Sequence, residues 1–183
     1  MKNVIVSIFS EESKTYEAMS SLKSKTGTTE VDCASIIKNS NGHITLRDGF
    51  GNDFDDNWAT GGLLGALIGL LGGPIGMLLG SSIGILIGTS VDMSDADSTN
   101  SVIRQVIAHL GNYKLALVII ADEIAPDELD DFLNSYGANE IIRESYIDVK
   151  NEVIEAEKIE KEMAKEAKRR VKSAKKHAKE GHA

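Results

Sequence analysis

The chain has 183 residues, of which 42% are hydrophobic and 26% charged, and its formal net charge is −8. This size predicts one domain, or one domain with a tail, and the single cysteine, Cys33, excludes a disulfide framework and a multi-cysteine metal site. Residues 150–183 carry eleven basic and seven acidic side chains, whereas the rest of the chain is strongly acidic. An acidic body argues against a nucleic-acid-binding domain, and the basic tail leaves room for an anionic partner.

The first fifty residues predict the order β-α-β-β. Residues 4–9 are an apolar run rich in β-branched side chains, as expected for a buried strand. Ser10 is expected to cap the following helix, because two glutamates follow it in the first turn. Residues 31–38 and 43–50 predict two strands, and Asn39-Ser40-Asn41-Gly42 between them predicts a hairpin turn. Cys33 is then expected to be a small buried hydrophobe.

The second half predicts the order α-β-α-β. Ser94 and Asp95 are expected to cap the first of these helices. Residues 115–121 are a continuous apolar run, which indicates a buried strand. Pro126 occupies a favoured first position of the next helix, and residues 140–146 predict a short last strand. A long charged helix is expected to follow.

Together these elements predict an α+β fold. If the apolar insert and the final α-β pair are left out, the remaining order β-α-β-β-α-β is that of a ferredoxin-like sandwich. We therefore divide the chain into three parts. Residues 1–50 and 94–147 form a split α/β domain, residues 58–92 form an apolar helical hairpin, and residues 148–183 form a charged, Lys-rich helix and tail.

The insert carries two runs of glycines that are spaced by four residues, and residues 57–91 hold no charged side chain. Glycine costs about 1 kcal/mol per residue in a helix exposed to water, whereas small residues at this spacing allow close helix packing in a membrane. The positions that we expect to pack in the membrane or in an oligomer are Gly61, Gly65, Gly69, Gly73, Pro74, Gly76, Gly80, Gly84 and Gly88.

Pro74 predicts a break that makes the insert a helical hairpin. The strands on both sides of the insert are expected in one sheet, so the insert must return to the side of the bilayer from which it starts. Its arms reach about 20–25 Å, less than the hydrocarbon core of about 30 Å, so the hairpin either crosses a thinned bilayer or enters one leaflet. Trp58 is predicted as an interfacial anchor, with packing in the domain core as the alternative.

The basic tail predicts contact with anionic lipid, which would act together with the hairpin. A solvated helix and nucleic-acid binding are the alternatives, and the absence of aromatic residues from the tail argues against the second of these. The residues expected to contact anionic lipid are Lys168, Arg169, Arg170, Lys172, Lys175, Lys176 and Lys179.

Patterns that indicate catalysis are missing from the sequence. The glycine runs lack the lysine of a phosphate-binding loop, and no Ser-His-Asp order occurs. Carboxylates on both sides of the insert could hold a divalent cation, but solvated loops with helix caps are the simpler interpretation. These carboxylates are Asp48, Asp53, Asp55, Asp56, Asp92, Asp95 and Asp97. We expect no enzymatic activity, no cofactor and no metal.

Several segments of the chain resemble a bacterial family of uncharacterised proteins labelled as predicted membrane proteins. They are Lys14-Thr15-Tyr16-Glu17-Ala18, the strands at residues 31–46, the glycine runs, and the strand at residues 115–121 with Ala125-Pro126-Asp127. The resemblance covers about residues 1–147. It implies a membrane-associated, non-enzymatic protein with a stress-related role, and it supplies no catalytic residues.

The sequence therefore predicts a membrane-associated homo-oligomer of the bacterial inner membrane that acts as a scaffold or in membrane remodelling. Its α/β domain is expected in the cytoplasm, because the N-terminus lacks a basic and long apolar leader. The sequence leaves two alternatives to this prediction. The first is a soluble homo-oligomer that buries its hairpins in a shared core, and the second is a small pore.

Overall fold

The structure, a computed structural model, describes residues 1–24, 29–41, 43–51, 62–73, 76, 101–111 and 114–180, without the side chains of residues 174–180. These residues form an α+β fold with a five-stranded antiparallel sheet and five helices, the last of them long. The strands are β1 (Lys2–Phe9), β2 (Thr29–Ser40), β3 (His43–Gly51), β4 (Leu115–Glu123) and β5 (Ala138–Ser145). The helices are α1 (Glu12–Lys23), α2 (Leu63–Gly72), α3 (Val102–His109), α4 (Pro126–Ser135) and α5 (Tyr146–Glu180).

The strands lie in the order β3-β2-β4-β1-β5, and every neighbouring pair is antiparallel. The two central strands, β1 and β4, are buried on both faces, which explains their continuous apolar sequences. The sheet contains two β-α-β units whose strands alternate: β4 lies between β1 and β2 of the unit β1-α1-β2, and β1 lies between β4 and β5 of the unit β4-α4-β5. The final helix and strand, α4 and β5, therefore belong to this domain, and β3 lies at the edge of the sheet.

Helices cover both faces of the sheet, because alternate residues of the central strands point to opposite sides. On one face, Ile5 and Phe9 of β1 lie in the same core cluster as α1 and α4. On the other face, Val4 and Val6 of β1 lie in a cluster with α2, α3 and the first part of α5. The described part of the apolar insert is thus a structural layer of the α/β domain.

The predicted hairpin between β2 and β3 is confirmed. Ser40 pairs with His43, so the chain reverses its direction between these two residues, as predicted. Asn41 has a φ of 55°, a left-handed conformation that asparagine tolerates better than most residues. Cys33 is buried, as predicted.

Two predicted helix caps are wrong. Glu11, not Ser10, occupies the N-cap position of α1, and Ser10 Oγ instead donates a hydrogen bond to Asn139 Oδ1 at 2.7 Å. The helix before β4 has Ser101 in extended conformation as its N-cap, so it does not run unbroken from Ser94. Residues 94–100 themselves lie outside the described residues.

Candidate functional site

The leucine side of α2 is part of the domain core. Leu64, Leu67, Leu70 and Leu71 are each no more than 2% exposed and lie in the cluster that covers one face of the sheet. Burying a leucine contributes about 1.5–3 kcal/mol relative to leaving it in water, so four of them hold α2 firmly on the domain. This packing explains why a helix of ten residues without a single charge is stable at this place.

The glycines of α2 lie on the side of the helix opposite the buried leucines. With 3.6 residues per turn, Gly65, Gly69 and Gly72 fall on one stripe, and the leucines fall roughly on the other side. Gly69 is exposed, and no atom of the described residues lies within 4 Å of the place where its Cβ would be. A Cβ at Gly72 would lie 2.7 Å from the carbonyl oxygen of Ile44, so β3 approaches the backbone closely there. The glycine side is therefore open in its middle and closed at its C-terminal end.

The end of α2 abuts α5. A Cβ at Gly73 would lie 2.7 Å from Glu160 Oε1, a buried oxygen that has no hydrogen-bond partner among the described residues. A Cβ at Gly76, which is buried, would collide with the carbonyl oxygen of Leu71, so only glycine fits that position. The end of α2 is thus packed beside Glu160 of α5 through glycines that permit close approach.

The chain returns to the same helix at Ser101. The carboxylate of Glu152, on α5, accepts hydrogen bonds from Val102 N at 2.9 Å, from Ile103 N at 3.1 Å and from Ser101 Oγ. Ser101 Oγ in turn accepts a hydrogen bond from Arg104 N at 3.2 Å, as an N-cap side chain does. Glu152 and Glu160 are separated by about 12 Å along α5 at 1.5 Å per residue. Both ends of residues 74–100 are therefore held by one helix, close together.

The distal part of α5 leaves the domain. Val149 and Val153 are buried, but residues 167–173 are all exposed. Lys168, Arg169, Arg170 and Lys172 of the predicted lipid-contacting set lie in this exposed part. Arg170 pairs with Glu166 at 2.7 Å, and the other three make no ion pair among the described residues. Lys175, Lys176 and Lys179 lie in α5, but their side chains are outside the description.

Several predicted site residues lie outside the described part of the chain, so their roles stay predictions. Among the described glycines, Gly65 and Gly73 are half-buried and Gly69 is exposed. The residues that lie outside the description are Trp58, Gly61, Pro74, Gly80, Gly84 and Gly88.

One polar cluster was not found from the sequence. The buried carboxylate of Glu123 accepts hydrogen bonds from Arg143 Nε at 3.0 Å and from Asn3 Nδ2 at 2.9 Å, and Arg143 also pairs with Asp130. Burial by itself would lower the pKa of Arg143, but its hydrogen bonds to Asp130 and Glu123 raise it above its ordinary value. The cluster ties β4, β5 and α4 together, and we assign it a structural role.

The described residues contain no group of three or more His, Cys, Asp or Glu side chains placed to bind a metal ion. Most of the carboxylates considered for a cation site flank the insert at positions outside the description. Among the helices that the structure describes, none combines the length and the apolar character needed to cross a bilayer.

These features define an α+β domain with a glycine-rich helix packed into its core and a long basic helix that extends beyond it. Residues 59–158 match the family described as a protein of unknown function (DUF1269). Because the match spans more than half of the chain, the protein belongs to this family, which confirms the predicted resemblance to a family of unknown function. No curated protein and no solved structure matches the chain.

Proposed function

We propose that the protein is a non-enzymatic, membrane-associated protein that self-assembles through its glycine-rich segment, residues 61–91. In this proposal the α/β domain lies on the cytoplasmic side of the bacterial inner membrane. The part of the segment that follows α2 enters the bilayer, and the basic part of α5 touches anionic lipid. The protein then serves as a scaffold or in membrane remodelling, and its two interlocked β-α-β units are a ferredoxin-like sandwich with β3 as an added edge strand.

The open glycine side of α2 carries this proposal. Four leucines fix α2 on the domain, and Gly69 is exposed on the other side, where none of the described residues comes within 4 Å of its Cβ position. In a helix exposed to water this glycine costs about 1 kcal/mol, and a closely packed second helix would compensate that cost. Residues 57–91 hold no charged side chain. The glycine stripe is therefore suited to packing against a partner helix formed by the same segment, with lipid around the two helices.

A soluble homo-oligomer is the second candidate function. It is favoured by the burial of Leu64, Leu67, Leu70 and Leu71 in the monomer, because these side chains already have a protein environment. In that case the glycine stripes of two or more copies would pack against one another in water, and the basic helix would stay solvated.

Flotation with vesicles that contain anionic lipid separates the two functions. Leu67→Arg is unsuitable as a test of membrane contact because Leu67 is fully buried in the domain core. Arginine at Ile83 and Ile87 instead places two charges in the apolar segment. The matched control carries the same two charges as Ser20→Arg and Asn134→Arg, at exposed positions of α1 and α4 on the opposite face of the sheet.

The proposal requires that wild type and the control float through a high-salt wash and that the Ile83→Arg/Ile87→Arg variant stays at the bottom. Equal flotation of all three proteins would show that the segment is not the membrane element. A wild type that stays at the bottom and sediments as one defined particle would instead support the soluble homo-oligomer.

A further inference from the structure

The core-packing side of α5 continues beyond the domain. Val149, Val153 and Ala156 pack on the sheet face, and at helical spacing the same side of α5 continues with Ala167 and Val171. Ala167 is exposed and Val171 is 56% exposed. The apolar stripe of α5 thus extends about four turns beyond Ala156, the last of its residues that the domain buries.

Basic side chains border this exposed stripe. Ala167 and Val171 lie next to Lys168 and Lys172 on the exposed surface of α5. The only acidic residue between positions 163 and 179 is Glu166, which Arg170 already pairs. Lys165 and Lys168, like Lys172, have no ion-pair partner among the described residues, so the stripe lies within an uncompensated positive field.

The end of α2 lies close to the beginning of this stripe. Gly73 abuts Glu160, about two turns before Ala167, the first of the continuously exposed residues 167–173 of α5. Both α2 and α5 cover the same face of the sheet. The chain continues from Gly73 without a charged residue to Val91. An uncharged segment and an apolar, lysine-bordered helix face therefore start at one place on the molecule.

We infer that the distal part of α5, from Met163 onward, lies along the surface of an anionic bilayer with Ala167 and Val171 toward the acyl chains. This inference rests on the proposed function and adds the docking surface and its orientation. Lysine stems reach outward from such a face to the headgroups, and each basic residue near an anionic surface contributes about 1 kcal/mol. The sheet face that carries α2 and α5 is then the face nearer the membrane.

The chemistry of the stripe favours a bilayer over other partners. Pairing with the same stripe of a second copy would bring two strongly basic helices together, which like charges oppose. Single-stranded nucleic acid is bound largely through aromatic side chains that stack on its bases, and the exposed part of α5 has none; the phosphates of a duplex would engage the lysines but leave the apolar stripe in water. A lipid surface satisfies both the apolar and the basic part of the face.

Fluorescent labels on two sides of α5 test the orientation. Cys33 is the only cysteine, so in a Cys33→Ala background the variants Val171→Cys and Ser173→Cys each carry one environment-sensitive label. Ser173 is exposed on the other side of the helix and serves as the matched control. With vesicles containing phosphatidylglycerol, we expect a blue shift at position 171 and little change at position 173. With phosphatidylcholine alone, both shifts are expected to be small.

Flotation of charged variants gives a second readout. Val171→Asp is expected to weaken vesicle binding about tenfold in low salt, and Ser173→Asp much less, because only the first places a carboxylate on the lipid side. Equal shifts at the two labels, or equal effects of the two aspartates, in a wild type that still floats would overturn the inference and leave the proposed function standing. A shift at position 171 that grows with protein concentration without vesicles would assign the face to a second copy. Failure of wild type to float would reject both proposals.

Discussion

Alanine at Gly69 and alanine at Gly72 are expected to change the stability of the domain in opposite directions. Gly69 lies inside α2, and in the part of the chain that the structure describes no atom lies within 4 Å of the place of its missing Cβ. Gly69→Ala therefore gains helix propensity without a clash, which stabilises the domain by about 0.5–1 kcal/mol. In a protein of this size, 1 kcal/mol corresponds to a shift of about 2–4 °C in Tm.

Gly72 is the last residue of α2, and its Cβ would lie 2.7 Å from the carbonyl oxygen of Ile44. That oxygen belongs to the backbone of β3, so it cannot rotate away as the end of a side chain can. Forcing extra atoms into a packed site costs about 1–3 kcal/mol. We therefore expect the free energy of unfolding of Gly72→Ala to fall, and the two variants to differ by about 1.5–4 kcal/mol.

Urea unfolding at low protein concentration measures this difference, because dilution keeps self-association out of the measurement. A lower midpoint for Gly69→Ala, or no difference between the two variants, would refute the orientation of α2 described above. Gly69→Ala also tests the proposed self-assembly. If a second helix packs closely on the glycine side, Gly69→Ala should weaken association even though it stabilises the single domain.

Two further predictions concern the polar contacts. Arg143→Met should destabilise the domain by about 3–5 kcal/mol, because it leaves the buried carboxylate of Glu123 without its guanidinium. The double variant Glu123→Met/Arg143→Met should recover part of this loss in urea unfolding, and a fully additive loss would count against the pairing. Glu152→Ala should cost about 1–3 kcal/mol and speed hydrogen exchange of the first amides of α3, whereas Glu155→Ala, one turn further on the exposed side of α5, should change neither.

The strands could be predicted well because their signals are local. Residues 115–121 are apolar throughout, as a strand buried on both faces must be, and they form β4. The turn at Asn41-Gly42 carries the residues that positive φ requires. The α+β class and the long C-terminal helix followed from such local patterns.

The packing of α2 could not be predicted from its sequence. The helix is apolar on every side, so its periodicity does not indicate which side is buried. From the glycine spacing we predicted a membrane hairpin that is separate from the domain. Only the sheet, formed by residues far away in sequence, decides that Leu64 and Leu67 face inward and Gly69 outward.

The start of α3 and the polar cluster around Glu123 and Arg143 also depend on residues far away in sequence, so they could not be predicted either. Ser94-Asp95 and Ser101 are both acceptable caps, and the partner that stabilises the second one, Glu152, lies 51 residues further along the chain. Arg143 and Glu123 belong to no short motif, and their pairing depends on the strand order. A carboxylate at the end of a fully apolar strand was the one local sign of that buried pair.

The two contacts on α5, at Glu160 and Glu152, mean that the chain between them can vary without changing the sheet. Because Gly73 lies against Glu160 and Ser101 against Glu152, the domain requires only that its chain bridge a gap of about 12 Å. A flexible linker of about six residues has an average span of that order. Residues 77–100 can thus be lengthened, shortened or replaced without rebuilding the sheet, whereas Gly76 has to be retained because a Cβ there would collide with Leu71. The same freedom would let one scaffold carry different apolar loops in different members of the family.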